Sequence, residues 1–136
     1  MKGKKAFLLD THILIWLTRG DYSKFKGCDM SFLRESCFVS AESLKEMALK
    51  LVHGKIDIEG DPKRLFKQIE NLDISILDFD KDAVATLFNL PFYEENKDPF
   101  DRSIVAHAIS KKMILVSEDS QFRFYQKHGL RLQRLK

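Results

Sequence analysis

Short apolar runs alternate along this chain with stretches in which apolar residues recur at helical spacing. Buried strands joined by crossover helices produce that pattern, so the expected class is α/β, built on a parallel sheet. Ala6 to Leu9 is the first run, and Ile13 to Leu17 continue as a largely buried helix that ends near Gly20. Residues 21–29 read as a loop leading to a short helix around Ser31 to Glu35, and Cys37 to Val39 as a second strand. Ser40 caps the next helix, with Leu44, Met47, Ala48, Leu51 and Val52 as its core-facing stripe and Gly54 as its stop. Asp61 followed by Pro62 opens a helix to about Asn71, and Ile74 to Leu77 is the next strand. A helix over Lys81 to Asn89 follows, then a loop over Leu90 to Lys97, then a helix opened by Asp98 and Pro99 that reaches about Lys112. Met113 to Val116 is the fourth strand, and Asp119 caps a last short helix. Leu130 to Leu135 adds an edge strand blunted by Arg131, Arg134 and Lys136.

The chain has 136 residues, enough for one ordinary domain and too few for two, so a single domain over residues 1–136 is expected. Its 44% hydrophobic and 32% charged residues exclude collagenous, low-complexity and wholly disordered classes. Lys and Arg number 23 against 20 Asp and Glu, a net charge of +3 that permits a polyanionic partner without demanding one. Cys28 and Cys37 form no CxxC pair and have no partners at zinc spacing. A disulfide framework and a structural zinc site are therefore not expected, and a cytoplasmic location is. The lysines before AFLLDTHILIWL mimic a secretory signal, but Asp10 and His12 interrupt the apolar stretch. No run approaches the roughly 18 apolar residues of a membrane span, so no membrane association is expected.

Ligands of open parallel sheets bind at the carboxyl ends of the strands, where loops and helix N-termini converge. Asp10 follows the first strand, Glu46 sits in the first turns of the helix after the second, Asp98 and Asp101 open the helix before the fourth, and Asp119 closely follows the fourth. Four separated segments thus direct acids to one end. Asp10 and Asp119 read equally well as helix N-caps, worth about 0.5–2 kcal/mol apiece, and Asp98 as a cap with proline behind it. Asp101 differs. At about 100° per residue it falls inside the arc of Phe100, Ile104, Val105 and Ala108, and a carboxylate facing a core is costly unless paired or metal-bound. Periodicity places Glu46 on a solvated face, paired with Lys50 one turn on, and leaves Glu42 as a charge complementing the helix dipole.

Carboxylates converging in one crevice repel and protonate in part unless a cation is present, and hard oxygen ligands select Mg²⁺ or Mn²⁺ over zinc. Such an ion can activate a water and neutralise charge on a phosphoryl group. His12, His53, His107 and His128 lack the HxxxH or HExxH spacing of a zinc hydrolase, and His12 and His107 read as packed or rim residues. GxGxxG, GxxxxGK[ST] and GxSxG motifs are all absent. A phosphoaspartyl phosphatase needs a second aspartate two positions after Asp10, where His12 stands.

Four blocks, LLDTHILIWL, FVSAESLKEMALKLVHGKI, NKDPFDRSIVAHA and LVSEDSQF, closely resemble the PIN-domain family, in particular bacterial VapC-type toxin ribonucleases of type II toxin–antitoxin systems. The resemblance covers nearly the whole chain, with the blocks in order and at the right spacing. It implies a three-layer α/β/α fold with a short, mostly parallel twisted sheet. It also implies acids that bind divalent metal for endonucleolytic RNA cleavage, leaving 5′-phosphate and 3′-hydroxyl ends. By motif, Asp10, Glu46, Asp101 and Asp119 carry the catalytic positions, and Asp98 joins Asp10, Asp101 and Asp119 as a metal-binding acid. The resemblance thus overrules the solvated-face reading of Glu46. Lys45 stands where an aromatic residue is frequent and His107 where glutamine is common; neither replaces an acid.

The expectation is then a Mg²⁺- or Mn²⁺-dependent endoribonuclease, with Lys50, Lys97, Arg102 and Arg123 as candidate contacts to the RNA backbone. A homodimer and a small antitoxin that blocks the acids are further implied by the resemblance. Two alternatives stay open: a PIN-like RNA- or protein-binding module without turnover, and a phosphohydrolase of small substrates.

Overall fold

The computed structural model describes residues 5–55 and 61–135. Five strands form one parallel sheet in the order β3-β2-β1-β4-β5: β1 (Ala6–Leu9), β2 (Ser36–Ser40), β3 (Ile74–Leu77), β4 (Ile114–Ser117) and β5 (Arg131–Arg134). Period-two alternation sorts their side chains into two layers. Phe7, Leu9, Cys37, Val39, Ile74 and Val116 point to one side, while Leu8 and Leu115, with Phe38, Leu77 and Leu132, point to the other. The first side is covered by α1 (Thr11–Arg19) and α3 (Pro62–Asn71), through Ile13, Leu14, Leu17, Leu65 and Ile69. The second is covered by α5 (Pro99–Lys111) and the 3₁₀ run Ser120–His128, through Ile104, Val105, Ala108, Phe122 and Tyr125. α4 (Lys81–Phe88) lies against α5. This is the expected three-layer α/β/α arrangement.

Local chemistry sets the element ends. Asp61 accepts from the Arg64 amide with Pro62 behind it, and Asp80 caps α4 through the Ala83 amide. Gly20, at φ 68°, closes α1 in the left-handed conformation that glycine adopts without strain. β4 begins and ends one residue later than expected, so Ser117 is its last pairing residue. Within the expected loop over 21–29, Tyr22–Phe25 forms a 3₁₀ turn because Phe25 is buried edge-on against Trp16. Arg131 and Arg134 are exposed on edge strand β5, as expected; Lys136 lies outside the described residues.

α2 (Ala41–Val52) departs most from expectation. Of its expected stripe only Met47 is buried and Leu44 partly so; Ala48, Leu51 and Val52 are exposed, Val52 at 80%. The buried face is Ser43, Glu46 and Met47. At about 100° per residue this is a rotation of roughly a third of a turn. The cause is position. α2 follows the carboxyl end of β2 and packs against α1 and α5 rather than lying along a sheet face, so its inward side meets polar groups there.

Cys28 and Cys37 are both free, and burial pushes the Cys37 thiol up to about 11. Among the described residues no helix is long and apolar enough to cross a membrane.

Candidate active site

The chain runs β1, β2, β3 outward in one direction and resumes with β4 on the other side of β1, which makes the β1–β4 boundary a topological switch point. Asp10 sits there, immediately after β1. Its amide donates to the Val116 carbonyl at 3.0 Å, its Oδ1 accepts from the Thr11 amide at 2.7 Å, and its Oδ2 accepts from the Ser117 hydroxyl at 2.8 Å. Only 4% of Asp10 is exposed. Burial raises its pKa from the ordinary aspartate value, with the charge of Glu46 adding to that and the Ser117 hydrogen bond, the His12 charge and the Thr11 hydrogen bond opposing it.

Glu46 is buried, not solvated, which corrects the periodicity reading and agrees with the position that the family motif gives it. Half of that reading survives, since Lys50 Nζ lies 2.7 Å from Glu46 Oε2. The other oxygen, Oε1, is buried without a hydrogen-bond partner.

Asp101 opens α5 half-buried, and its pKa is pushed up to about 8, first by desolvation and then by the charges of Asp10, Asp98, Glu46 and Asp119. All four other acids thus lie within electrostatic reach of Asp101. Asp98 is exposed and caps α5, its Oδ1 accepting from the Phe100 and Asp101 amides at 2.8 and 3.0 Å. Asp119 caps the 3₁₀ run through the Gln121 amide at 2.9 Å. The cap readings and the convergence therefore hold together.

The four cations differ in their commitments. Lys50 is tied to Glu46, and Arg102 donates to the Leu90 and Pro91 carbonyls at 3.0 and 2.7 Å. Lys97 and Arg123 are exposed, Lys97 3.6 Å from Glu94 and Arg123 donating to the Ser120 carbonyl at 2.8 Å and lying 4.6 Å over the Phe124 ring.

Several polar residues near these acids make contacts that the sequence does not show. Thr11 donates its hydroxyl to Ser43 at 3.0 Å, linking α1 to α2. The Ser40 hydroxyl oxygen accepts the Glu42 amide and lies 2.8 Å from His107 Nδ1, linking the start of α2 to α5. His107 is packed as expected, fully buried and edge-on to Phe79, with its pKa lowered by burial. His12 is on the exposed rim beside Trp16. Asn96, two residues before Asp98, is buried with both amide atoms unpartnered.

Among the described residues no group of three His, Cys, Asp or Glu side chains is gathered closely enough to hold a metal ion as it stands. The chemistry of the donors nonetheless suits a hard divalent cation. They are all carboxylate oxygens, one of them is the orphaned buried Oε1 of Glu46, and the neighbouring negative charges that add to the burial-driven rise of the Asp101 pKa are what a bound cation would offset.

A family model describing the PIN domain matches residues 7–127, and the chain belongs to that family. Solved structures with the same fold include VapBC2 from Rickettsia felis bound to a DNA fragment from their promoter, 14% identical, with a TM-score of 0.65 over 96% of this chain and 99% of that chain. DNA-bound VapBC from Salmonella typhimurium is 20% identical, with a TM-score of 0.62 over 97% of this chain and 99% of the other. VapBC-5 from Mycobacterium tuberculosis, a member of the VapBC family of toxin–antitoxin systems, is 17% identical, with a TM-score of 0.63 over 95% and 98%. At these identities the likeness is one of fold. No curated protein matches this chain.

Proposed function

We propose that this chain is a Mg²⁺- or Mn²⁺-dependent endoribonuclease, the toxin of a toxin–antitoxin pair, with residues 1–136 working as one PIN unit. What supports the reading is that Asp10, Glu46, Asp98 and Asp119 all lie within electrostatic reach of Asp101, with Asp10 at the switch point of a parallel sheet. Family membership supports nuclease chemistry, and the VapBC neighbours support an antitoxin partner.

In this account Asp10, Glu46, Asp101 and Asp119 are the catalytic acids, and Asp10, Asp98, Asp101 and Asp119 hold the metal, with Glu46 joining them directly or through water. When bound, the ion supplies a water of lowered pKa and positive charge for the phosphoryl oxygens. The protein's own part is orientation. Ser117 and the Thr11 amide fix both oxygens of Asp10, so that carboxylate cannot rotate away from the crevice. Asp98 fixes the first turn of α5 and with it Asp101. Lys97 and Arg123, both exposed and within a few residues of an acid, contact the RNA backbone, with Arg102 as a further candidate. An antitoxin and a second copy of the chain would cover apolar surface such as Leu49 and Val52 on α2 and Val84 and Phe88 on α4, all exposed.

The test is incubation of antitoxin-free protein with structured RNA in Mn²⁺ or in EDTA. Metal-dependent fragments bearing 5′-phosphates are expected; fragments that form equally in EDTA contradict the reading. A binding module is the second reading, favoured by the lack of a preassembled three-donor group among the described residues. Metal affinity without RNA cleavage would select it.

A further inference from the structure

Lys50 stands one turn after Glu46 on α2, the helix that packs against α1 and α5. Among the ion pairs of the described residues, theirs has the most buried carboxylate: the Glu46 side chain is 6% exposed and that of Lys50 31%. One oxygen of Glu46 is bound to the ammonium at 2.7 Å, while the other is buried and unpartnered. Burial works against the charge on Lys50, but the hydrogen bond and charge of Glu46, with Asp98 and Asp101 behind it, outweigh this and hold the ammonium protonated. Lys50 is therefore a countercharge bound to Glu46 and within electrostatic reach of Asp98 and Asp101.

A divalent cation and an ammonium compete for the same carboxylate oxygens. We infer that Lys50 is a built-in competitor for the metal: it holds Glu46 in the metal-free protein and gives up Oε2 when an ion enters. The step breaks no covalent bond and moves no proton, because the lysine leaves as an ammonium. Its flexible four-carbon stem and partial exposure give it a way out toward solvent. The device stabilises the acids when no metal is bound and lowers the affinity for the ion that replaces it. This rests on the metal-dependent reading above, and it assigns to Lys50 a role different from contacting the RNA backbone.

The alternative is a merely structural pair that stays in place and positions Glu46 for the ion. The two differ in sign. Mn²⁺ binding to wild type, Lys50→Met and Lys50→Arg, each stripped of metal, is measured by titration calorimetry, with thermal unfolding in EDTA and in saturating Mn²⁺ alongside. A competitor predicts that Lys50→Met binds Mn²⁺ at least several-fold more tightly than wild type, and that Lys50→Arg stays near wild type. It also predicts that Lys50→Met melts below wild type in EDTA and recovers with Mn²⁺. Should Lys50→Met fail to fold without metal, Lys50→Gln, which keeps a hydrogen-bond donor for Glu46 but no charge, is expected to show the same gain. Equal or weaker Mn²⁺ binding by the neutral variants overturns the inference while leaving the metal-dependent reading intact. No Mn²⁺ binding by any of the chains, wild type included, overturns both.

Discussion

Ser117 donates its hydroxyl to Asp10 across 107 positions of sequence, closing a 2.8 Å link between the carboxyl ends of adjacent strands β4 and β1. The same hydroxyl oxygen accepts the Asp119 amide at 3.0 Å, so one serine orients two of the five acids. Ser117→Ala is expected to cost about 1–3 kcal/mol of stability, the range for leaving a buried partner unsatisfied. Loss of a group that orients a metal ligand typically costs about 10–100-fold in affinity, and Mn²⁺ binding should fall accordingly. Denaturant unfolding and calorimetry on the same preparation check both, and unchanged Mn²⁺ affinity would remove Ser117 from the site.

Asp98 combines a helix cap with a charge, and two substitutions separate them. Asp98→Asn keeps an oxygen for the Phe100 and Asp101 amides, so stability should hold while Mn²⁺ affinity drops. Asp98→Ala should lose the affinity and also about 0.5–2 kcal/mol of stability. If Asp98→Asn binds Mn²⁺ like wild type, Asp98 is a cap alone.

How legible these features are in the sequence depends on what drives each one. The strands are legible because buried parallel strands are short apolar runs, and Asp61, Asp98 and Asp119 are legible as caps because Asx capping is local. Ser117 is missed because a polar residue ending a strand reads as loop; its reason for being extended lies in Asp10, far away in sequence. Glu46 is misplaced by periodicity because helical wheels assume that the inward face is apolar, whereas α2 faces a site of charged groups and its inward side is Ser43, Glu46 and Met47. The family motif, which encodes the site rather than the core, recovers Glu46 where periodicity does not.

The metal-free protein should show a pH dependence set by these acids. Asp10 and Asp101 ionise near pH 4 in an unfolded chain, while in the folded protein both are raised, Asp101 to about 8. Between those values the folded state holds the extra proton, so the stability they contribute is present at low pH and lost as pH rises toward 8. His107 acts with the opposite sign. Its folded pKa is lowered, so its contribution is lost as pH falls below about 6.5. Thermal unfolding in EDTA should therefore show stability declining from about pH 6.5 to 8 in wild type, with a shallower decline in Asp101→Asn. Parallel curves for the two proteins over that window would contradict the assignment.

The central claim, that five converging carboxylates make a metal-dependent ribonuclease, is tested most directly by comparing wild type with Asp101→Asn. Both are purified identically and freed of any antitoxin, and a structured RNA pool is scored for cleavage in Mg²⁺, Mn²⁺ and EDTA. The account predicts cleavage by wild type in either metal, none in EDTA, and a loss of about 100-fold or more in a folded Asp101→Asn, the scale expected when a group acting on the developing charge is removed. Undiminished cleavage by Asp101→Asn, or no metal-dependent cleavage by the wild type, would contradict it.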